Sequence, residues 1–119
     1  MEHIMSSINR VILIGRLGAD PEIKQTDTGR TRATFRIATS EAWTDKTTGE
    51  RNEHTEWHHI VVWGKTADLV GEHLHKGRQV CIEGKVQTRK WTDTDGKDRY
   101  STEIVGSQVT FLGSKEQAA

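Results

Sequence analysis

Residues 55–64, TEWHHIVVWG, sort into two alternating sets. His58, Ile60 and Val62, with Glu56 at the edge, form one; Trp57, His59, Val61 and Trp63 form the other. Side chains of a strand alternate faces with period two. The first set therefore reads as a core face with a polar edge. The second places two tryptophans and a histidine opposite an apolar face that already fits the core. Exposed indoles without a partner invite aggregation, so this face calls for a ligand.

The rest of the chain reads mainly as strand. Residues 10–17, RVILIGRL, are a short β-branched apolar run closed by Gly18 and by Asp20-Pro21, a buried strand. Residues 25–30 are a turn. Residues 31–40 alternate, with Phe35 and Ile37 inward and Thr34 and Arg36 outward. Residues 44–52 are a polar loop joining hairpin strands, and residues 55–64 are the third strand. Residues 66–76 form the one helix, with Ala67, Val70 and Leu74 at helical spacing, Thr66 as N-cap and Gly77 as C′ glycine. Residues 78–91 form a fourth strand, with Val80, Ile82 and Val86 on one face and Glu83, Lys85, Gln87, Arg89 and Trp91 on the other. Gly84 marks a bulge or bend in it. Asp95-Gly96 turns a hairpin into a fifth strand over residues 100–112. Residues 114–119 read as a frayed tail.

Three strands, one helix and two strands predict an all-β fold. The candidate is a five-stranded Greek-key OB barrel with its helix between strands three and four. Such barrels bind oligonucleotides or oligosaccharides on a sheet face and through two long loops.

Composition narrows the setting. The chain has 119 residues, 33% hydrophobic and 29% charged, enough for one domain with a modest core and much partner-facing surface. Its single cysteine, Cys81, excludes an intramolecular disulfide. No apolar run approaches the ~20 residues of a membrane span, and no basic-then-apolar leader is visible. These features predict a cytoplasmic protein. Met1 and Met5 are both candidate starts.

The formal net charge is zero, so total charge does not itself announce a nucleic-acid binder. The local pattern does. Trp91 shares parity with Arg89, Gln87 and Lys85, and Trp43 precedes the loop holding Lys46. Rings mixed with cations suit a single strand, whose bases stack while the cations follow its phosphates.

The segments INRVILIGRLGADPE, ATSEAWTDKTTGE, TEWHHIVVWGK, HKGRQVCIEGK, TRKWTD and DGKDRYSTE together resemble the bacterial single-stranded DNA-binding proteins over about residues 6–113. The resemblance implies an OB fold assembled as a homotetramer. It implies binding of single-stranded DNA, without sequence preference, in replication, recombination and repair. By position it implies base stacking by Trp43, Trp57 and Trp91, and by Trp63 where phenylalanine is usual. It implies phosphate contacts from Lys46, Lys65, Lys76, Arg89 and Lys90, and places His58 at a subunit interface. Bacterial members usually continue into a Gly/Pro/Gln-rich linker and an acidic tip that recruits replication and repair proteins. This sequence stops at SKEQAA, so those partners are left open, as is the choice between a truncated chain and a tail-less phage or plasmid form.

Other readings fare less well. His54 and His58 stand roughly 13 Å apart along a strand, and His73 and His75 face different ways on a helix. There is no HExxH, cysteine pair or phosphate loop. Neither an enzyme nor a metal or cofactor site is expected. Sugar-binding barrels also use aromatic faces, but Arg89-Lys90 beside Trp91 argues against sugar. A structural barrel that mainly binds a replication partner is favoured slightly by the zero net charge.

Overall fold

Alternation in Val11–Leu17, strand β1, sends Leu13, Gly15 and Leu17 toward the core and leaves Ile12, Ile14 and Arg16 outside. The computed structural model describes residues 6–113; Met5 and the tail at 114–119 lie outside the described residues. After β1 come β2 (Glu22–Gln25), β3 (Thr31–Thr44), β4 (Arg51–Trp63), helix α1 (Gly64–His73), β5 (Gln79–Thr92) and β6 (Asp98–Phe111).

Five of these strands close. The hydrogen-bonded order runs β1-β5-β6-β4-β3, and β3 returns to β1 through Arg16↔Ala38 and Leu17↔Ile37. All pairings are antiparallel except β4 with β6, which meet in parallel at Ile60↔Ile104 and Val61↔Val105. The closed five-stranded barrel and its single helix match the fold read from the sequence.

The core is small. Ile37, Ile60, Ile82, Val62, Val70 and Val80 are its largest fully buried side chains. Each contributes about 1.5–3 kcal/mol relative to exposure. The helix adds Ala67, Val70 and Leu74 to the same cluster.

Several local expectations are corrected. A sixth strand, β2, forms a hairpin with β3 from Glu22↔Thr34 to Gln25↔Thr31. Its four residues are all exposed, so it carries no apolar alternation by which to be recognised. The helix starts at Gly64, not Thr66, because Trp63 occupies the N-cap in extended conformation and no side chain caps it. It ends at His73 with Leu74 as C-cap; Gly77, at φ +87°, belongs to a separate turn in which the Arg78 N–H donates to the His75 carbonyl. The hairpin arms of β3 and β4 pair as far as Thr44↔Arg51, so the connecting loop is shorter than residues 44–52.

Val86 was expected to face inward with Val80 and Ile82, but it is exposed. A bulge intervenes. Glu83 opposes Gln108 and Gly84 opposes Gly106, which leaves Ser107 as the extra residue, its hydroxyl donating to the Glu83 carbonyl at 3.1 Å. Beyond the bulge Val86 keeps the parity of Ile82 and opposes the buried Ile104, but the β5–β6 hairpin from Lys85 onward is exposed and leaves Val86 41% accessible. Gly84 permits the close crossing here, since a Cβ would meet the Val105 carbonyl. Gly84→Ala should therefore destabilise the fold by about 1–3 kcal/mol, the usual cost of overpacking. Urea unfolding at fixed protein concentration checks this; a wild-type midpoint would contradict the crossing.

Candidate nucleic-acid interface

The outer face of β4 carries Trp57, His59, Val61 and Trp63, and the β3–β4 register sets specific partners against them. Arg32 lies opposite Trp63, Arg36 opposite His59 and Ala38 opposite Trp57. Cross-strand neighbours on one face stand within side-chain reach. The face is thus a strip of rings and guanidiniums.

Trp57 is 48% exposed. Its ring edge lies over Gly18, where a Cβ would come within 2.6 Å of it. Gly18, Asp20, Arg36 and Trp57 line one depression on the surface. The turn after β1 therefore fixes the attitude of the indole, and only glycine leaves room for it.

Trp63 differs from the other tryptophans. Trp43 is 50% exposed and Trp91 41%, but Trp63 is only partly exposed. The Arg30 guanidinium carbon lies over its ring at 4.6 Å from the centroid, and that of Arg32 lies at 5.8 Å. Both distances suit cation–π attraction, for which tryptophan offers the best face.

The parallel contact Val61↔Val105 carries the strip onto the β5–β6 hairpin. It also buries Val61, which alternation alone placed outside. Arg32, Val61, Trp63, Gln87, Arg89, Glu103 and Val105 line one continuous cleft. Farther along the same hairpin face, the Trp91 indole N–H donates to the Ser101 hydroxyl at 2.9 Å, which holds the ring against β6. Trp57, Trp63, Arg89 and Trp91 are thus brought onto one connected outer surface.

The remaining expected site residues lie around it. Trp43 opposes Asn52 and shares the alternation of Ile37 and Thr39, so it leaves the projecting β3–β4 arm on the set opposite to Trp57. Lys46 is exposed in the loop at the tip of that arm, which Asp45 shapes by accepting from the Thr47 and Thr48 N–H groups. Lys65 is exposed in the first turn of α1. Lys76 is exposed just beyond the helix, with its backbone N–H held by the Asp20 carboxylate at 2.8 Å.

Arg89 and Lys90 are already partnered. Arg89 Nε stands 3.5 Å from Glu103, and Lys90 Nζ stands 3.3 Å from Asp98. At the hairpin tip the Asp93 carboxylate binds the Arg99 guanidinium at 2.8 Å and accepts from the Lys97 and Asp95 N–H groups. The Arg99 contact, then these backbone donors, hold the Asp93 carboxyl below its ordinary pKa of 3.8. Reading from sequence missed Arg30 and Arg32. The signal for Arg32 was present, since it alternates with Thr34 and Arg36 on the outward face; Arg30 lay in a segment read only as a turn.

His58 is half-buried at the rim of the core face, its Nε2 2.8 Å from the Thr39 hydroxyl. Elsewhere on the barrel, Ile12 and Ile14 on the outer side of β1 are 60% and 53% exposed. Ile14 opposes Cys81, and Ile12 opposes Glu83, which pairs with Arg10.

The structure is similar to a Plasmodium falciparum SSB solved in complex with ssDNA, at 39% identity and TM-score 0.83, covering 93% of this chain and 100% of that one. It is also similar to a deletion mutant of the single-stranded DNA binding protein from Thermus aquaticus, at 28% identity and TM-score 0.77. That match covers 91% of this chain but only 52% of the Thermus chain, so this sequence spans about half of it. With an OB barrel in place and residues 8–112 matching the single-strand binding protein family, the chain belongs to that family.

Proposed function

We propose that residues 6–113 form a domain that binds and protects single-stranded DNA during replication, recombination and repair. The observation that carries this reading is the connected outer face of Trp57, Trp63 and Trp91 threaded with arginines. Family membership supports it, as does the similar Plasmodium protein in complex with ssDNA. Bases stack on the tryptophans, Trp43 adding a fourth ring from the β3–β4 arm. Lys46, Lys65 and Lys76 meet phosphates around this face, and Arg89 and Lys90 do so by exchanging their carboxylate partners for the strand. Stacking needs no base identity, so the preference is for single strands rather than sequence. The chain works as a binding module and not as an enzyme. Among the described residues, no helix is long and apolar enough to cross a membrane, and the reading places the protein in the cytoplasm beside the nucleoid. Recruitment of replication and repair proteins is not assigned to these residues.

Adding poly(dT) should strongly quench tryptophan emission, with duplex DNA far less effective. Trp57→Ala should cost about 1–3 kcal/mol of binding, the worth of one stacked base. Equal quenching by duplex would point to generic phosphate binding instead. An unfolded Trp57→Ala chain would mean that Trp57 serves the core.

One barrel covers only a few to about sixteen nucleotides, so a longer strand calls for several. The reading therefore includes a homotetramer of two-fold pairs. Ile12 and Ile14 support it, because an apolar strand face left this exposed gains by being covered. His58 is placed near a subunit boundary. Sedimentation at micromolar protein and neutral pH should give a tetramer, and Ile14→Glu should dissociate it. A wild-type monomer would contradict the assembly, and an unaltered tetramer for His58→Ala would remove His58 from the boundary.

A further inference from the structure

We propose that Arg30 is a base-stacking residue, and that Arg30 and Trp63 form one composite platform on the DNA path. This rests on the single-strand binding reading above and extends it to Arg30, which neither the family resemblance nor the spacing of the sequence assigns.

The ring of Trp63 is not presented bare. Arg30 arrives from the β2–β3 turn and lays its guanidinium over the indole, while Arg32 flanks the ring from the cross-strand position. Arg30 is itself exposed, so the outermost surface at this point of the strip is a guanidinium plane. That plane is flat, delocalised and weakly hydrated, and it stacks on aromatic faces as lysine cannot. Unpaired bases stack on arginine planes as they do on rings. A base arriving here meets arginine backed by tryptophan. The N–H edges of the guanidinium remain available for a phosphate.

Charge compensation separates these arginines from those on the hairpin. Arg10, Arg89, Lys90 and Arg99 each pair with a carboxylate. Among the described residues, Arg30 and Arg32 have no such partner. They can therefore neutralise phosphates without first breaking an ion pair. The turn that positions Arg30 uses only its backbone. Its N–H donates to the Thr26 hydroxyl at 3.1 Å, and its carbonyl accepts from the Thr26 N–H at 2.8 Å. Changing the side chain leaves those bonds in place.

The test is titration of oligo(dT) at several salt concentrations with the wild-type chain, Arg30→Lys and Arg30→Ala, thermal melting confirming that each variant folds. Arg30→Lys should bind roughly ten-fold more weakly or worse, the scale of one lost stacking contact, with its log–log salt slope preserved. Arg30→Ala should lose affinity and also reduce the slope by about 0.7, one phosphate contact on a single strand. Wild-type affinity in Arg30→Lys would overturn the platform and leave Arg30 as a point charge. Wild-type affinity and slope in Arg30→Ala would take Arg30 off the path altogether. A wild-type chain that ignored oligo(dT) would sink the functional reading itself, which these variant outcomes do not.

Discussion

Two consecutive amides at the end of β1 donate to opposite neighbours, and the architecture follows from that split. The Leu17 N–H reaches the Arg78 carbonyl before β5, and the Gly18 N–H reaches the Arg36 carbonyl on β3. One strand end thereby joins both sides of the sheet and closes it. Closure removes the free edges that β1 and β3 would otherwise present to other chains. It also divides every alternating strand into an inside and an outside. Ile37, Ile60 and Ile82 fill the inside. The outside of β3 and β4 is left to Arg32, Arg36, Trp57 and Trp63, the face proposed to meet a strand.

The same closure explains how a chain of zero net charge can carry a cationic path. The acidic residues are not spread evenly against the basic ones. On the β5–β6 hairpin, Glu103, Asp98 and Asp93 sit beside Arg89, Lys90 and Arg99. These pairs order the hairpin but cancel much of its field; only Lys90–Asp98 is exposed on both sides, and a pair of that kind contributes little to stability. The arginines of the β3 edge have no carboxylate against them among the described residues. The cationic strip beside Trp57 and Trp63 is therefore narrow and local, invisible to any sum over the chain. A sugar-binding reading accounts for the rings but not for this strip.

What was legible in the sequence was the part governed by period two. The alternation at residues 55–64 placed Ile60 and Val62 inside and Trp57 outside, and the apolar runs marked the five barrel strands. What was not legible depended on tertiary placement. The β2 strand has no apolar alternation and exists because β3 offers it an edge. Thr66 fits an N-cap by residue type, yet the helix begins at Gly64 directly from the strand that ends at Trp63. Val86 keeps the face of Ile82 and opposes the buried Ile104, yet stands exposed where the β5–β6 hairpin leaves the barrel. Val61 became buried because β6 pairs beside it, a contact between strands far apart in sequence. Arg30 reaches Trp63 because it lies two residues before Arg32, which the β3–β4 register sets opposite that ring.

The proposed path of the strand runs along one connected outer face of the barrel. It is tested most directly by the indole N–H resonances of the protein carrying ¹⁵N-labelled tryptophan, followed as oligo(dT) is added. On a shared path the signals of Trp57, Trp63 and Trp91 move together and saturate at the same DNA ratio, while backbone amides of Ile12, Ile14 and Cys81 across the barrel stay largely in place. Indole signals that hold still while those β1 and β5 amides move would contradict it.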